Sequence, residues 1–147
     1  FLSYCRGDIR RFRLAEVFLF TSPGAPSVFY GDELGMDGNS EFTLRGPMPW
    51  NTPGHDERAF FKSLTALRRD NEALATGSFR AVYADEKGLM VYRRALPGQR
   101  ITVALNGRND TVSVAAHVPS GTPALSDFFA NGSLGAFGYA VFVEKAR

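Results

Sequence analysis

The feature that most constrains this 147-residue chain is a change of hydrophobic period near residue 75. Before it, apolar residues recur about every 3.6 positions; after it, they alternate with a period of about 2. A pattern written for a helix does not settle as a strand, nor the reverse. The chain therefore reads as a helical or α/β region over residues 1–75 followed by an all-β region over 76–147.

In the first region, "GDIRRFRLAEVFLF" offers Asp8 as an N-cap, with Ile9, Phe12, Val17 and Leu19 at helical intervals. These predict a helix over residues 8–20, closed by the turn "TSPGAP". The apolar run "SVFY", residues 27–30, does not alternate, which suits a strand buried on both faces of a parallel sheet. "GDELGMDGNSEFTLRGPMPWNTPGHD" follows, rich in Gly, Pro and Asn. A loop of about two dozen residues in a compact domain is usually functional or disordered. Helical spacing resumes in "DERAFFKSLTALRRDNEAL", residues 56–74, with Asp56 or the turn before it as cap and Phe60, Phe61, Leu64, Leu67 and Leu74 on one side. Beyond Thr76, "SFRAVYA", "GLMVYRR", "ITVALN", "TVSVAA" and "GYAVFVEK" are short strand candidates separated by turn residues, the pattern of an antiparallel sandwich.

Composition excludes several functions. A chain that is 44% hydrophobic and 13% aromatic folds around a core. Its net charge of +2 comes from 17 basic and 15 acidic residues that are interspersed, which gives no electrostatic case for nucleic acid or an anionic membrane. No apolar run reaches the ~18 residues of a membrane span, and no leader pattern is visible. One cysteine, Cys5, excludes an intrachain disulfide and leans toward a cytoplasmic setting. The chain begins at Phe1 without an initiator Met and reads as cut or trimmed.

The ordered set "PGAPSVFYGDELGM", "LRGPMPW", "LTALRRDNEAL" and "GSFRAVYADEKGLMVYRR" resembles the C-terminal third of the α-amylase superfamily, glycoside hydrolase family 13. Within it the likeness is greatest to the cyclomaltodextrinase, neopullulanase and α-glucosidase-like branches. The resemblance covers essentially the whole chain. It implies the last part of a (β/α)8 barrel (seventh helix, eighth strand, loop, eighth helix) followed by an antiparallel β-sandwich, domain C. The implied parent is a retaining glycosidase acting on α-glucosidic bonds of starch-derived oligosaccharides or maltodextrins.

Active sites of such barrels lie at the carboxyl ends of the strands. Asp32 and Glu33, just past the eighth strand, are therefore expected at the rim of the sugar site, although acids at such junctions also serve as caps of the following turn. They do not themselves make a catalytic pair. That pair needs carboxyls about 5 to 9 Å apart across the bond, whereas neighbours on an extended chain point to opposite sides. By resemblance the catalytic acids lie upstream of Phe1, so this chain alone is expected to be inactive. Arg45 matches an arginine near the substrate subsites, a task suited to a guanidinium's fork of donors. Relatives often carry an Asp two residues earlier and a second Arg just after, where this chain has Thr43 and Gly46. Trp50 is a candidate sugar platform or a packing residue.

His55, His117, Tyr83, Tyr92 and Cys5 read as structural. No cofactor is expected; calcium in the parent stays open, since no EF-hand-like ligand loop is present. The expected partners are an α-glucan oligosaccharide and the missing N-terminal barrel portion. One strand and two helices cannot close a barrel, so the isolated chain is expected to self-associate. Two alternatives remain: a non-catalytic carbohydrate-binding module, and a purely structural β domain.

Overall fold

A computed structural model of the chain describes residues 2–36, 38, 46–48 and 57–146. Helix α1 (Ile9–Thr21) begins where the sequence places it, with the Asp8 carboxylate accepting the Arg10 amide at 2.9 Å. That bond satisfies one of the donors a helix start leaves open. The Arg10 guanidinium returns to the same carboxylate, and its hydrogen bonds hold Asp8 below the usual carboxylate range. Helix α2 (Arg58–Arg69) starts after Glu57; Asp56 and the turn before it, expected to cap the helix, lie outside the described residues. Leu74 does not continue α2; it belongs to a separate short helix, α3 (Glu72–Thr76). Asn71 breaks the run, with an extended backbone and its side chain donating to the Leu67 carbonyl.

Six antiparallel strands follow: β1 (Ser78–Ala84), β2 (Leu89–Leu96), β3 (Gln99–Asn106), β4 (Val112–Ser113), β5 (Leu125–Ala130) and β6 (Ser133–Lys145). The two-part fold class expected from the change of period is present. β6 is the spine of the sheet. Its second half pairs with β3 (Leu105↔Tyr139 to Gln99↔Lys145), its start with β4, and its other edge with β5. β2 and β1 extend the sheet beyond β3.

Two expectations need correction. The run 27–30 forms no strand: no described strand lies beside it, and without a neighbour the extended backbone has no ladder to join. Val28, Phe29 and Tyr30 are exposed. Conversely, β5 was not expected, because its "LSDFFA" is preceded by a Pro/Gly stretch and broken by a bulge between Asp127 and Phe129. Of "TVSVAA", only Val112–Ser113 pairs.

Alternation along the strands sorts side chains into two cores. Tyr92, Ile101, Val103, Leu105, Tyr139 and Val141 face the helices, where they join Phe12, Val17, Phe20, Phe61, Leu64 and Leu74. Val91, Ala104, Ala140 and Phe142 face the other way, where Val114, Val118, Phe129 and Leu134 pack against them. The helical segment and the sheet thus share one core.

Arg94 joins them. It is 1% exposed, and its guanidinium donates to the carbonyls of Thr21 and Leu74 (2.9 Å each), Gly77 (2.9 Å) and Ser78 (3.2 Å). Those carbonyls lie at the ends of α1 and α3 and the start of β1. Helix C-termini leave carbonyls unmet and carry partial negative charge, so a buried cation there satisfies both. Removing it leaves several buried acceptors without donors. Arg94→Leu is therefore expected to lower stability by about 3 kcal/mol or more, read as a lower urea midpoint. Arg94→Lys should recover only part, because an ammonium cannot span four carbonyls.

Candidate functional site

The stretch "YGDELGM" forms a 3-10 helical turn at Asp32–Leu34, bracketed by Gly31 (φ 90°) and Gly35 (φ 61°) in the left-handed region. Glycine adopts that conformation without the steric penalty other residues meet. A Cβ on Gly31 would also land inside the Met36 side chain, which folds back over the turn. The amides of Leu34 and Met36 donate to the Gly31 carbonyl at 3.0 and 2.9 Å, and that of Gly35 to Asp32 at 2.9 Å.

The turn sends its two acids different ways. Glu33 is half-buried and accepts the Gly31 amide at 2.9 Å, so it caps its own turn. Asp32 is buried. Its charge acts on Glu16 of α1, a residue the sequence reading did not single out. Glu16 is 4% exposed, and its Oε2 has no hydrogen-bond partner among the described residues. Burial, and then the Asp32 charge, push the Glu16 carboxyl up to about 7. The available signal was weak, because an acid amid "RLAEVFLF" reads equally well as the polar face of a helix.

Arg45 and Trp50, the other expected site residues, lie outside the described residues. Gly46, next to Arg45, is described, and its carbonyl accepts the Tyr30 hydroxyl at 3.1 Å. At the N-terminal turns, the Ser3 hydroxyl receives the Gly38 amide at 3.1 Å. Among the described residues no three His, Cys, Asp or Glu side chains are grouped to hold a metal ion. No helix among them is long and apolar enough to cross a membrane.

The candidates read as structural are engaged within the fold. His117 stacks on Tyr83 with ring centroids 4.3 Å apart. Tyr92 is fully buried against Phe18 and Phe79, shares a short hydrogen bond with the Thr21 hydroxyl, and is pushed up to about 12 by burial. Cys5 is buried, and burial raises its thiol. Phe79 thus packs tilted on Tyr92 and Tyr83 stacks on His117, each against a residue of the fold.

Comparison with known proteins gives a consistent set of relatives. The chain is 35% identical over 122 residues to neopullulanase 2 from Thermoactinomyces vulgaris, a match covering 81% of this chain and 21% of that protein. It is 38% identical over 108 residues to a cyclomaltodextrinase from Thermoanaerobacter pseudethanolicus, covering 72% of this chain and 19% of that one. The chain thus spans about a fifth of the length of these relatives. A cyclic α-maltosyl-(1→6)-maltose hydrolase from Arthrobacter globiformis superposes with a TM-score of 0.77 at 29% identity, covering 99% of this chain and 32% of the hydrolase. No protein-family model matches.

Gly31→Ala tests the construction of the turn. The left-handed backbone and the Met36 clash together should cost about 1 to 3 kcal/mol, seen as a lower urea midpoint. Adding Met36→Ala should recover the part due to the clash.

Proposed function

This chain belongs to the α-amylase superfamily, matching the C-terminal part of its enzymes, and from that premise we propose that it is the tail of a retaining glycosidase acting on α-glucosidic bonds of starch-derived oligosaccharides. Residues 1–75 complete the catalytic barrel, and residues 76–147 form the β domain that braces it. The catalytic carboxylates come from the upstream part of the barrel. This part supplies a section of the substrate wall through Asp32, Glu33, Arg45 and Trp50.

The observation that supports this reading is the glycine-bracketed turn at Asp32–Leu34 and the hydrogen bond from Tyr30 to Gly46. Glycines on both sides hold Asp32–Leu34 in a tight turn, and the Tyr30–Gly46 hydrogen bond returns the residue after Arg45 to the start of that turn. Loops at the carboxyl end of barrel strands are where such enzymes bind substrate. An arginine in such a loop can offer paired donors to two sugar hydroxyls.

The test is a chimaera in which this chain replaces the matching region of the T. vulgaris neopullulanase 2. Chimaeric enzyme should release reducing sugar from maltodextrin, while the chain alone should release none. Arg45→Ala in the chimaera should raise KM about tenfold, the loss of a charge-assisted hydrogen bond of about 1.5 kcal/mol, with kcat little changed. Hydrolysis by the chain alone, or a folded but inactive chimaera, would overturn the reading.

The isolated chain carries a further expectation. Phe18, Val28, Phe29 and Tyr30 are 43%, 41%, 54% and 41% exposed, an apolar surface that association would cover. Sedimentation at micromolar concentration should show oligomers, and a monodisperse monomer would refute this.

A further inference from the structure

The sheet carries three arginines that the fold leaves unmatched. Most of the other described arginines have partners: Arg10 binds Asp8, Arg13 binds Glu57, Arg69 binds Asp70 and Arg108 binds Asp85, while Arg68 and Arg94 donate to backbone carbonyls. Arg80 of β1, Arg93 of β2 and Arg100 of β3 make no ion pair or side-chain hydrogen bond among the described residues. Alternation puts Arg93 and Arg100 on the side of the sheet away from the helices, because their neighbours Tyr92 and Ile101 face the helical core.

The register brings the three together. Arg80 lies directly opposite Arg93, and Arg93 directly opposite Thr102. Arg100, two residues before Thr102 on the same face, is a diagonal neighbour of Arg93. Opposite residues have Cβ atoms about 5 Å apart and diagonal ones about 7 to 8 Å, within reach of long side chains, and like charges set directly opposite are destabilising. Glu144 of β6 stands opposite Arg100, and the two form no ion pair. Beneath the arginines lie unmet polar groups. Thr102 is 0% exposed and its Oγ1 has no hydrogen-bond partner among the described residues; the Nε of Arg93, across the ladder, is likewise enclosed and unmet. Both groups can donate, and both lack an acceptor.

We propose that Arg80, Arg93, Arg100 and Thr102 form a binding site for a phosphate-type oxyanion on the β domain. A guanidinium fork matches such an anion, and a phosphate brings three acceptor oxygens to three arginines where a carboxylate brings two. Arg80 and Arg100 are exposed, so the anion enters between them. Arg93 is half-buried, and turning its guanidinium toward the anion opens the floor to the innermost oxygen. An α-glucan carries no charge, so the site is separate from the proposed sugar wall and stands whether or not the glycosidase reading does.

Inorganic phosphate is the probe, titrated into the full chain at an ionic strength held constant with chloride, with the arginine Nε–H resonances followed by NMR. The Arg93 signal should shift and saturate, while that of Arg94, already bound to carbonyls, should stay in place. Arg80→Gln, an exposed change at the sheet edge, should weaken binding tenfold or more, the loss of one charge-assisted hydrogen bond. The same variant should raise the urea midpoint in chloride alone, because it removes the repulsion with Arg93. Should association broaden the resonances, equilibrium dialysis of radiolabelled phosphate against the native chain and Arg80→Gln gives the same comparison. No saturable binding, an equal response to acetate, or unchanged affinity in Arg80→Gln would overturn the site, and a lower urea midpoint in that variant would remove its like-charge premise.

Discussion

The Arg94 guanidinium is the contact on which the remaining architecture depends, because it meets backbone acceptors from three elements that otherwise end in the core. Burying a charge without partners is expensive, and here the compensation comes from carbonyls, with no carboxylate among its hydrogen-bond partners. Burial pulls the guanidinium below its ordinary range, yet an arginine keeps its charge throughout the physiological range. Arg68 makes a parallel arrangement from α2, donating to the carbonyls of Phe20 (2.7 Å) and Ser22 (3.2 Å). Two cations therefore terminate α1, one from each structural layer. The helix end becomes the joint between the helical segment and the sheet.

The other end of α1 is fixed by different chemistry. Arg13 pairs with the buried Glu57 ahead of α2 and reaches toward Asp127 at the β5 bulge (3.7 Å). Arg11 lies 4.4 Å over the ring of Phe137, within range of a cation–π contact. Phe137 itself has a left-handed backbone (φ 56°), as does Phe128 (φ 52°), unusual for aromatic residues. These strained positions lie where β5 and β6 depart from regular pairing. The bulged region thus provides the seat for the N-terminal half of α1, a packing reason for strain that regular strands would not require.

Legibility in the sequence followed the physics of each element. α1 and α2 were readable because their periodicity, and for α1 the Asp8 cap, are local signals. β1, β2 and β3 were readable because alternation and turn residues are local too. β5 was not, since its bulge interrupts the period and its pairing with β6 is a tertiary fact. The run 27–30 reads as a buried strand, but strand formation needs a neighbour that no residue pattern supplies. Arg94 in "VYRR" and Glu16 in "LAEVF" were invisible as key residues. A charged side chain on a strand or helix is normally solvated, and only the three-dimensional placement of carbonyls around one, and the burial of the other, sets them apart. The turn residues Asp32 and Glu33 were legible as a pair, but their divergent orientations were not.

These contacts make α1 a beam fixed to the β domain along its length. Its two ends are held by arginines, by carbonyl acceptors and by the strained seat on β5 and β6, so α1 has little freedom to shift. The Asp32–Leu34 turn is closed by its own backbone bonds and packs on α2, so α2, which Arg13–Glu57 and Arg68 tie to α1, is the element that carries it.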